Sequence, residues 1–306
     1  MSFTTEVKTE ITQQPIKVCC HKAQLSALIQ LNASLIIHEQ QLQLVIHSEN
    51  ASTAKRIFKL LKDSYAPEME LNVLKKARLK KNNIYELEIK SKVKEILNDL
   101  GLMTDKGIQS HPAKKIVSKE CCARSYLAGA FLAAGSVNSP QKSNYHLEIV
   151  TQQEEHAQFI EFLMKRFDLP AKTILRRHQQ VTYLKASDKI SDFLRIVSAN
   201  SAVLDFEEIR IQRDFHNSLT RLDNCEVANE MKTQAAASKQ IAVIERLIKR
   251  GVIERLDERY SVVARLRLEN PEANLNELCE LYEEETGNAI SKSGIKHRLT
   301  KLMGLV

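Results

Sequence analysis

Two pairs of adjacent cysteines are the side chains with the most distinctive chemistry in this 306-residue chain. Cys19 and Cys20 recur as Cys121 and Cys122, at an offset of 102 residues. Four thiolates are a ligand set for zinc, but adjacent cysteines project in different directions and structural zinc sites usually separate paired ligands by two to four residues. Because free cysteine is among the most buried residue types, we predict packing at the entrance to a helix, with no metal and no other cofactor.

Basic side chains near the C-terminus are the second chemical signal. The segment ISKSGIKHRLTKLM, residues 290–303, predicts a helix capped by Ser291. Its expected buried stripe is Ile295, Leu299, Leu302 and Met303. Residues 222–306 contain 13 Lys+Arg and 14 Asp+Glu, yet no acid follows Glu285. A helix ending in TG, a short turn and a basic helix are typical of a helix-turn-helix unit, whose second helix enters the major groove. The predicted DNA-binding residues are Lys292, Ser293, Lys296, His297, Arg298 and Lys301.

Basic residues also concentrate in two predicted hairpins, residues 70–90 and 172–187. The candidate DNA-contacting residues are Lys75, Lys76, Arg78, Lys80 and Lys81 in the first hairpin, and Arg176 and Arg177 in the second. Lys and Arg at such positions neutralise phosphates and release counterions. A hairpin tip is often basic without any partner, but the enrichment in both hairpins favours contact with DNA.

An internal duplication supplies the elements that position these residues. KVCCHKAQLSALIQLNASL, residues 17–35, returns as KECCARSYLAGAFLAAGSV, residues 119–137. Each copy places small residues along an apolar helix, and small residues let two helix backbones approach closely. Alternating and helical spacings then predict the order αββαββα in each half, closed by helices at 93–100 and 190–199.

The fold class predicted from these patterns is α+β, a duplicated αββαββα domain followed by an all-α helix-turn-helix domain. The predicted parts are an N-terminal helix at 1–16, the duplicated domain at 17–208 with repeats at about 17–100 and 119–201, a linker at 209–238 that becomes helical near Met231, and the all-α domain at 239–306. In the last part, Asn274 and Glu277 fit a capping box.

Composition favours a polyanionic partner inside the cell. The chain has 45 Lys+Arg against 38 Asp+Glu, a formal charge of +7. Its first residues, MSFTTEVKTE, lack the basic and apolar regions of a signal peptide, and no apolar run approaches the roughly 18 residues of a membrane-spanning helix. Six cysteines in a chain of this length do not form a secreted disulfide framework. We therefore expect a cytosolic protein with no membrane partner.

The repeated helix resembles the LAGLIDADG helix of homing endonucleases, best in LAGAFLAAG, residues 127–135, and less closely in LSALIQLNA, residues 25–33. In that family the helix pair forms the axis of a DNA-binding saddle, and the penultimate motif residue is a metal-binding acid. Asn32 and Ala134 occupy those positions here. Because hard divalent ions are held through anionic oxygen, we predict no catalytic residues and no enzymatic activity.

Longer strings resemble the WhiA family of bacterial regulators: KECCARSYLAGAFLAAGSVNSP, NCEVAN at 224–229 and SKSGIKHRL at 291–299. The resemblance implies a sequence-specific protein that binds double-stranded DNA at the nucleoid and acts in cell division and chromosome segregation. In sporulating relatives it implies a transcription factor. Other proteins of transcription or cell division are the further partners that it implies.

Three other functions remain compatible with the sequence. A metal-dependent endonuclease could use displaced acids such as Glu39 or Asp105. The saddle could hold structured RNA, although the A-form major groove is too narrow for a recognition helix. The basic surface could instead make the protein an interaction scaffold for an acidic partner.

Overall fold

The structure is a computed structural model that describes residues 2–38, 41–75, 83–142 and 144–305. Its contacts divide the chain into two units, Met1–Arg213 and Asp214–Val306. The helices are α1 (Phe3–Gln13), α2 (Val18–Asn32), α3 (Ala51–Ser64), α4 (Val93–Asp99), α5 (Glu120–Ala134), α6 (Glu154–Lys165), α7 (Ser187–Ile196), α8 (Asn200–Lys249), α9 (Glu258–Glu269), α10 (Leu275–Thr286) and α11 (Lys292–Met303). The strands are β1 (Ala33–His38), β2 (Gln41–Ser48), β3 (Met69–Lys75), β4 (Asn83–Ile89), β5 (Met103–Thr104), β6 (Gly107–Ile108), β7 (Gly135–Val137), β8 (Leu147–Thr151), β9 (Lys172–Arg176) and β10 (Gln179–Leu184).

The order αββαββα predicted for each half is confirmed. The first sheet has the strand order β1-β2-β4-β3 and the second has the equivalent order β7-β8-β10-β9, with every pairing antiparallel. Alternate residues such as Ile46, Leu87 and Ile149 are buried against the helices, because successive side chains of a strand point to opposite faces. The opposite face is only partly exposed, since Glu70 and Gln179 are exposed there whereas Val45 and Val181 are buried.

The helix pair α2 and α5 lies at the centre of the first unit, as the small residues predict. A Cβ atom added to Gly129 would lie 2.6 Å from the carbonyl oxygen of Gln24 and 3.0 Å from the Cβ of Ala27. Ala27 is the duplicate of Gly129 in the other half. Ser125 also donates a hydrogen bond of 3.0 Å from Oγ to the carbonyl of Cys20. The two backbones therefore approach too closely for a larger side chain.

Helix α1 joins the same core, with Val7 and Ile11 buried as its apolar stripe predicts. The carboxylate of Glu10 accepts hydrogen bonds from the backbone N–H groups of Ser201, at 2.6 Å, and Ala202, at 3.0 Å. These are among the unpaired amides of the first turn of α8, where negative charge is favourable. The first helix of the chain therefore caps a helix that begins about 190 residues later.

The predicted non-helical start of the linker at 209–238 was wrong, because this segment belongs to the uninterrupted helix α8. Residues 200–249 contain no Gly and no Pro, so no residue interrupts the helix, and Ala, Glu, Lys, Arg and Gln favour it without burial. Apolar side chains such as Ile211 and Phe215 are exposed, so the segment lacks the buried stripe from which a helix is usually predicted.

The second unit places α9, α10 and α11 around one apolar core that includes Leu278, Ile295 and Leu299. The capping box predicted for α10 is present: Asn274 accepts from the N–H of Glu277, whose carboxylate accepts from the N–H of Asn274. The buried Arg267 donates from Nη1 to the carbonyl of Ala273 at 2.6 Å and thereby fixes the loop between α9 and α10.

Candidate nucleic-acid interface

Helix α11 is fixed by one apolar face. Ile295, Leu299 and Leu302 are buried at i, i+4 and i+7, as predicted. Met303 was also predicted to be buried, but it is 40% exposed at the last position of α11, where it lies at the edge of this stripe. The packed stripe orients the opposite face of the helix towards solvent.

The turn before α11 is closed by specific backbone contacts. Gly287 adopts a positive φ of 72°, and its N–H donates to the carbonyl of Glu283 at 2.8 Å, which ends α10 in the left-handed conformation that glycine adopts readily. Ser291 then caps α11 as predicted, since its Oγ accepts from the N–H of Gly294. Both ends of the turn are thus determined by the local sequence.

The outer face of α11 carries the side chains that can reach a ligand. Lys292, Ser293, Lys296, His297 and Lys301 are all exposed, in agreement with the side-chain pattern of the sequence. Thr300 is also exposed on this face, one turn after Lys296. The charge pattern and the first turn of the helix did not point to Thr300, although its spacing of four residues from Lys296 could have identified it. The exposed surface is cationic with hydroxyl groups between the charges.

Arg298 differs from the other basic residues of α11. Its guanidinium lies 4.8 Å from the ring centroid of Tyr282, and Nη1 donates to the carbonyl of Arg259 at 3.3 Å. Lys301 extends over Tyr260, with Nζ 5.5 Å from the ring centroid. The guanidinium of Arg298 therefore contacts groups of its own unit, whereas the exposed amine of Lys301 lies at the margin of the outer face.

Acidic groups are displaced from this surface. No Asp or Glu occurs after Glu285, and the carboxylate of Glu285 forms an ion pair with Arg265 on α9. Because α11 itself carries no acid, no carboxylate on this helix offsets its positive charges. A polyanion approaching the second unit would meet only basic and neutral side chains on this helix.

Among the DNA-contacting residues predicted in the two hairpins of the first unit, the structure describes Lys75, Arg176 and Arg177. Lys75 is exposed at the end of β3, whereas Lys76, Arg78, Lys80 and Lys81 lie outside the described residues. In the second hairpin Arg176 is exposed beside its strand partner Gln179. Arg177 and His178 form the connecting turn with positive φ angles of 49° and 63°. That two-residue turn normally uses Asn and Gly, so the basic tip is held at a conformational cost.

The outer sheet face, defined here by Glu70, Glu86 and Glu88, is acidic where it is described. These residues alternate with Leu87 and Ile89, whose side chains are buried against the helices. Each carboxylate has a partner: Glu70 with Lys90 at 2.6 Å, Glu86 with His47 at 2.9 Å, and Glu88 with Asn72 at 3.2 Å. The solvent face of the first sheet therefore carries three carboxylates.

The motif positions lie at the C-terminal ends of the helix pair. Asn32 is the last residue of α2 and Ala134 the last of α5, where Ala134 lines a cavity beside Gln30. Asp105 lies in the turn between β5 and β6, and Glu39 lies outside the described residues. Within the described ranges no carboxylates or imidazoles gather in threes at a distance suited to a metal ion.

One histidine lines the same cavity but is held in an uncharged state. His156 is almost fully buried, and its Nε2 forms a hydrogen bond of 2.8 Å with the hydroxyl of Tyr126. Burial, together with the charge of His111, lowers the pKa of His156 to about 4. The ring is therefore neutral at physiological pH and acts as a packed hydrogen-bonding group.

The four cysteines lie together, because the packing of α2 on α5 places Cys19 and Cys20 beside Cys121 and Cys122. Their sulfur atoms all lie within 4.8 Å of one another. The sequence had favoured packing over a metal site, since adjacent cysteines project in different directions and lack the usual ligand spacing of zinc sites. This cluster lies at the N-terminal ends of the two helices, opposite to Asn32 and Ala134.

A duplicated LAGLIDADG-like domain followed by a helix-turn-helix domain is the class that the fold and the comparisons with known proteins define. Residues 18–103 match the model of the WhiA N-terminal LAGLIDADG-like domain, 123–216 the WhiA LAGLIDADG-like domain, and 219–306 the WhiA C-terminal HTH domain. The chain belongs to the WhiA family.

Individual relatives agree with this assignment. The chain is 45% identical over 302 residues to the "Probable cell division protein WhiA" of Macrococcus caseolyticus, covering 99% of this chain and 95% of the relative. It is 46% identical over 303 residues, with the same coverage, to the protein of that name from Bacillus cytotoxicus. The crystal structure of full-length DUF199/WhiA from Thermatoga maritima has the same fold, with a TM-score of 0.59, 22% identity and coverage of 100% and 98% of the two chains.

Across the described part of the chain, no helix, including the 50-residue α8, is both long and apolar enough to cross a bilayer.

Proposed function

We propose that this protein binds double-stranded DNA sequence-specifically and reads the major groove with α11. The observation that carries the proposal is the division of this helix into two faces. Ile295 and Leu299 anchor it in the core, while Lys292 and Lys296 lie on an exposed face without acids. A major groove about 12 Å wide admits one α-helix, and lysine can donate to the acceptors of guanine.

The cellular role belongs to the same proposal. Both relatives described above carry the name probable cell division protein, and the HTH model covers the second unit of this chain. We propose that DNA binding by α11 serves cell division and chromosome segregation, that it regulates transcription, and that the protein is associated with the nucleoid.

Contacts with phosphates are proposed for the hairpin tips as well. Lys75, Arg176 and Arg177 are exposed there, and Lys76, Arg78, Lys80 and Lys81 belong to the same proposal by their sequence positions. Such contacts would position the protein on DNA without reading its sequence. The remaining α11 residues, Ser293, His297, Arg298 and Lys301, are proposed as supporting contacts, with Arg298 acting mainly through its packing on Tyr282.

We further propose that the protein does not hydrolyse DNA. Asn32 offers one neutral carbonyl oxygen and Ala134 offers no ligand, so the two charges that would hold magnesium are absent from the motif positions. Supercoiled plasmid should remain intact in magnesium or manganese. Metal-dependent nicking that is lost in Asn32→Ala, Glu39→Ala or Asp105→Ala would show that the protein is a nuclease.

The decisive binding experiment is selection of duplexes from a random-sequence pool, followed by affinity measurements at two salt concentrations. The selected duplex should bind at least about 10³-fold more tightly than a random duplex, which is the lower range for specific DNA-binding proteins. Structured RNA should bind no better than the random duplex. Selection that returns no common sequence, or equal affinity for RNA, would contradict the proposal.

A further inference from the structure

The four cysteines form a compact cluster where α2 and α5 begin. The Sγ of Cys19 lies 3.9 Å from the Sγ of Cys20 and 3.9 Å from the Sγ of Cys121. All four sulfur atoms, including that of Cys122, lie within 4.8 Å of one another. Zinc–sulfur bonds of about 2.3 Å in a tetrahedron require sulfur–sulfur distances of about 3.8 Å. These two separations already match that edge, and no sulfur–sulfur distance in the cluster exceeds it by more than about 1 Å.

The exposure of the cluster suits a site that a metal ion can enter. Cys20 and Cys122 are buried, with exposed fractions of 3% and 5%, whereas Cys19 is exposed and Cys121 is half-buried. Two ligands therefore belong to the packed interior and two lie at the surface. Such an arrangement gives an ion both an entry path and a rigid base.

The surroundings of Cys121 also favour negative charge on its sulfur. Both helices begin here, and neither Lys17 nor Lys119, the two N-cap residues, supplies a side-chain cap to the free amides. Helix N-termini carry partial positive charge and stabilise thiolates. The pKa of the Cys121 thiol is lowered, chiefly by a hydrogen bond with Cys20, with contributions from Cys19 and the charge of Lys17.

The buried thiols behave in the opposite way without a metal. Burial raises the pKa of Cys20, and it raises the pKa of Cys122 to about 11. A metal ion must therefore displace protons from these two groups, so the affinity of the cluster should increase with pH. This dependence distinguishes binding at the four thiols from adventitious binding by surface carboxylates.

We propose that Cys19, Cys20, Cys121 and Cys122 form a four-thiolate site for a thiophilic d¹⁰ metal ion, for which Zn²⁺ is the test ion. The site takes two ligands from each half of the duplicated unit and so links the halves at the pseudo-twofold axis. The cysteines lie near the start of each motif helix and Asn32 and Ala134 at its end, so about 18–20 Å of helix separates the cluster from these two positions. The ion is therefore structural and has no part in phosphodiester chemistry.

The test uses reduced full-length protein, freed of metal with a chelator and titrated with Zn²⁺ in competition with a chromophoric chelator. One ion per chain is expected, with affinity that falls as the pH is lowered. Cys19→Ser and Cys121→Ser, which alter the two less buried ligands, should each weaken binding by more than about 100-fold, because even the loss of an outer hydrogen-bonding partner costs 10–100-fold. Cys225→Ser is the matched control, since Cys225 is exposed on α8 outside the cluster.

Replacement of zinc by Co²⁺ reports the geometry directly. A tetrahedral spectrum with thiolate-to-cobalt charge transfer is expected for the native protein and the Cys225→Ser control. Zinc uptake that is unchanged by Cys19→Ser and Cys121→Ser together, or an octahedral cobalt spectrum, would overturn the proposal. So would reduced protein that takes up no zinc, even if mild oxidation joins Cys19 to Cys121, since the cluster would then be a thiol pair. The circular dichroism of the variants separates loss of a ligand from loss of the fold.

Discussion

The α11 face and the outer sheet face differ in how charge is distributed. On α11, Lys292, Lys296 and Lys301 are exposed without an acid on the same helix. On the outer sheet face, Glu70, Glu86 and Glu88 each pair with a cationic or amide group. Two exposed surfaces of one chain therefore differ in the charge that they offer to a polyanion. The comparison teaches that a fold identifies where DNA contacts could occur, whereas the side chains decide which surface is suited to them.

The largest effect is expected from Gly129→Leu, which should disrupt the first unit and leave α11 in the second unit intact. A bulky side chain at this helix crossing should destabilise the first unit by about 1–3 kcal/mol or more, because the added atoms have no space beside the backbone of Gln24. Hydrogen exchange resolved by peptide should increase in 2–213 and remain unchanged in α9–α11. Arg124→Leu, at an exposed position of the same helix, is the control.

If specific DNA binding disappeared in Gly129→Leu while α11 kept its exchange protection, the first unit would be required for recognition. The first unit, and not α11 alone, would then determine which DNA sequence is bound.

The next largest effects should distinguish base contacts from phosphate contacts on α11. Lys296→Ala should reduce discrimination between selected and random duplex by about 1–3 kcal/mol if Lys296 donates to a base. Lys301→Ala, at the margin of the face, should weaken binding to the selected and the random duplex equally. It should also reduce the slope of log affinity against log salt concentration by about 0.9. Affinity titrations at several salt concentrations measure both quantities, and Lys249→Ala on α8 provides an exposed cation as control.

Unchanged affinity in both α11 variants, together with loss of binding when Lys75, Lys76, Arg176 and Arg177 are replaced, would move the DNA site to the hairpins.

A smaller effect is expected on stability from Arg298→Ala. The contact with Tyr282 and the hydrogen bond to the Arg259 carbonyl should together contribute about 1–2 kcal/mol to the second unit. Hydrogen exchange of α9–α11 measures this loss. Lys296→Ala serves as the comparison, because removal of an exposed side chain should change stability by less than about 0.5 kcal/mol. Equal protection from hydrogen exchange in Arg298→Ala and Lys296→Ala would show that Arg298 does not stabilise the second unit.

The smallest effect is expected from Glu86→Gln combined with Glu88→Gln. If DNA does not lie on the outer sheet face, removal of these charges should change affinity by less than about twofold. Carboxylates held against phosphates are strongly unfavourable, so an increase of about tenfold or more would place DNA there. Glu154→Gln with Glu155→Gln, on the exposed start of α6, controls for the change in net charge.

Local sequence predicted those parts of the structure that depend on neighbours along the chain. The repeat, the capping box at Asn274 and the cap at Ser291 follow from spacing alone, and the structure has them. The continuous helix α8 was missed because helix propensity acts there without a buried face. The environment of Arg298 was equally inaccessible, since its contacts with Tyr282 and Arg259 depend on how three helices pack.

The cysteine cluster shows a similar limit. The duplication indicates that the two pairs lie near each other, but the positions of the four sulfur atoms depend on how α2 and α5 pack, and the Cys19–Cys121 contact joins residues 102 positions apart. The acidity of the outer sheet face was missed for another reason. Alternation identifies which residues share a face, but the solvent-facing carboxylates were not considered when the basic hairpin tips were singled out.

The contact between Glu10 and the start of α8 has a consequence for synthesis of the protein. Glu10 leaves the ribosome early, but the amides of Ser201 and Ala202 are made 191 and 192 residues later. At 5–20 residues per second, the start of α8 is synthesised roughly 10–40 s after α1. Helix α2 is likewise synthesised before its duplicate α5. Helices α1 and α2 gain α3 and α5 as neighbours before the start of α8 has been made, and the first unit completes its folding only after about two thirds of the 306 residues have been translated.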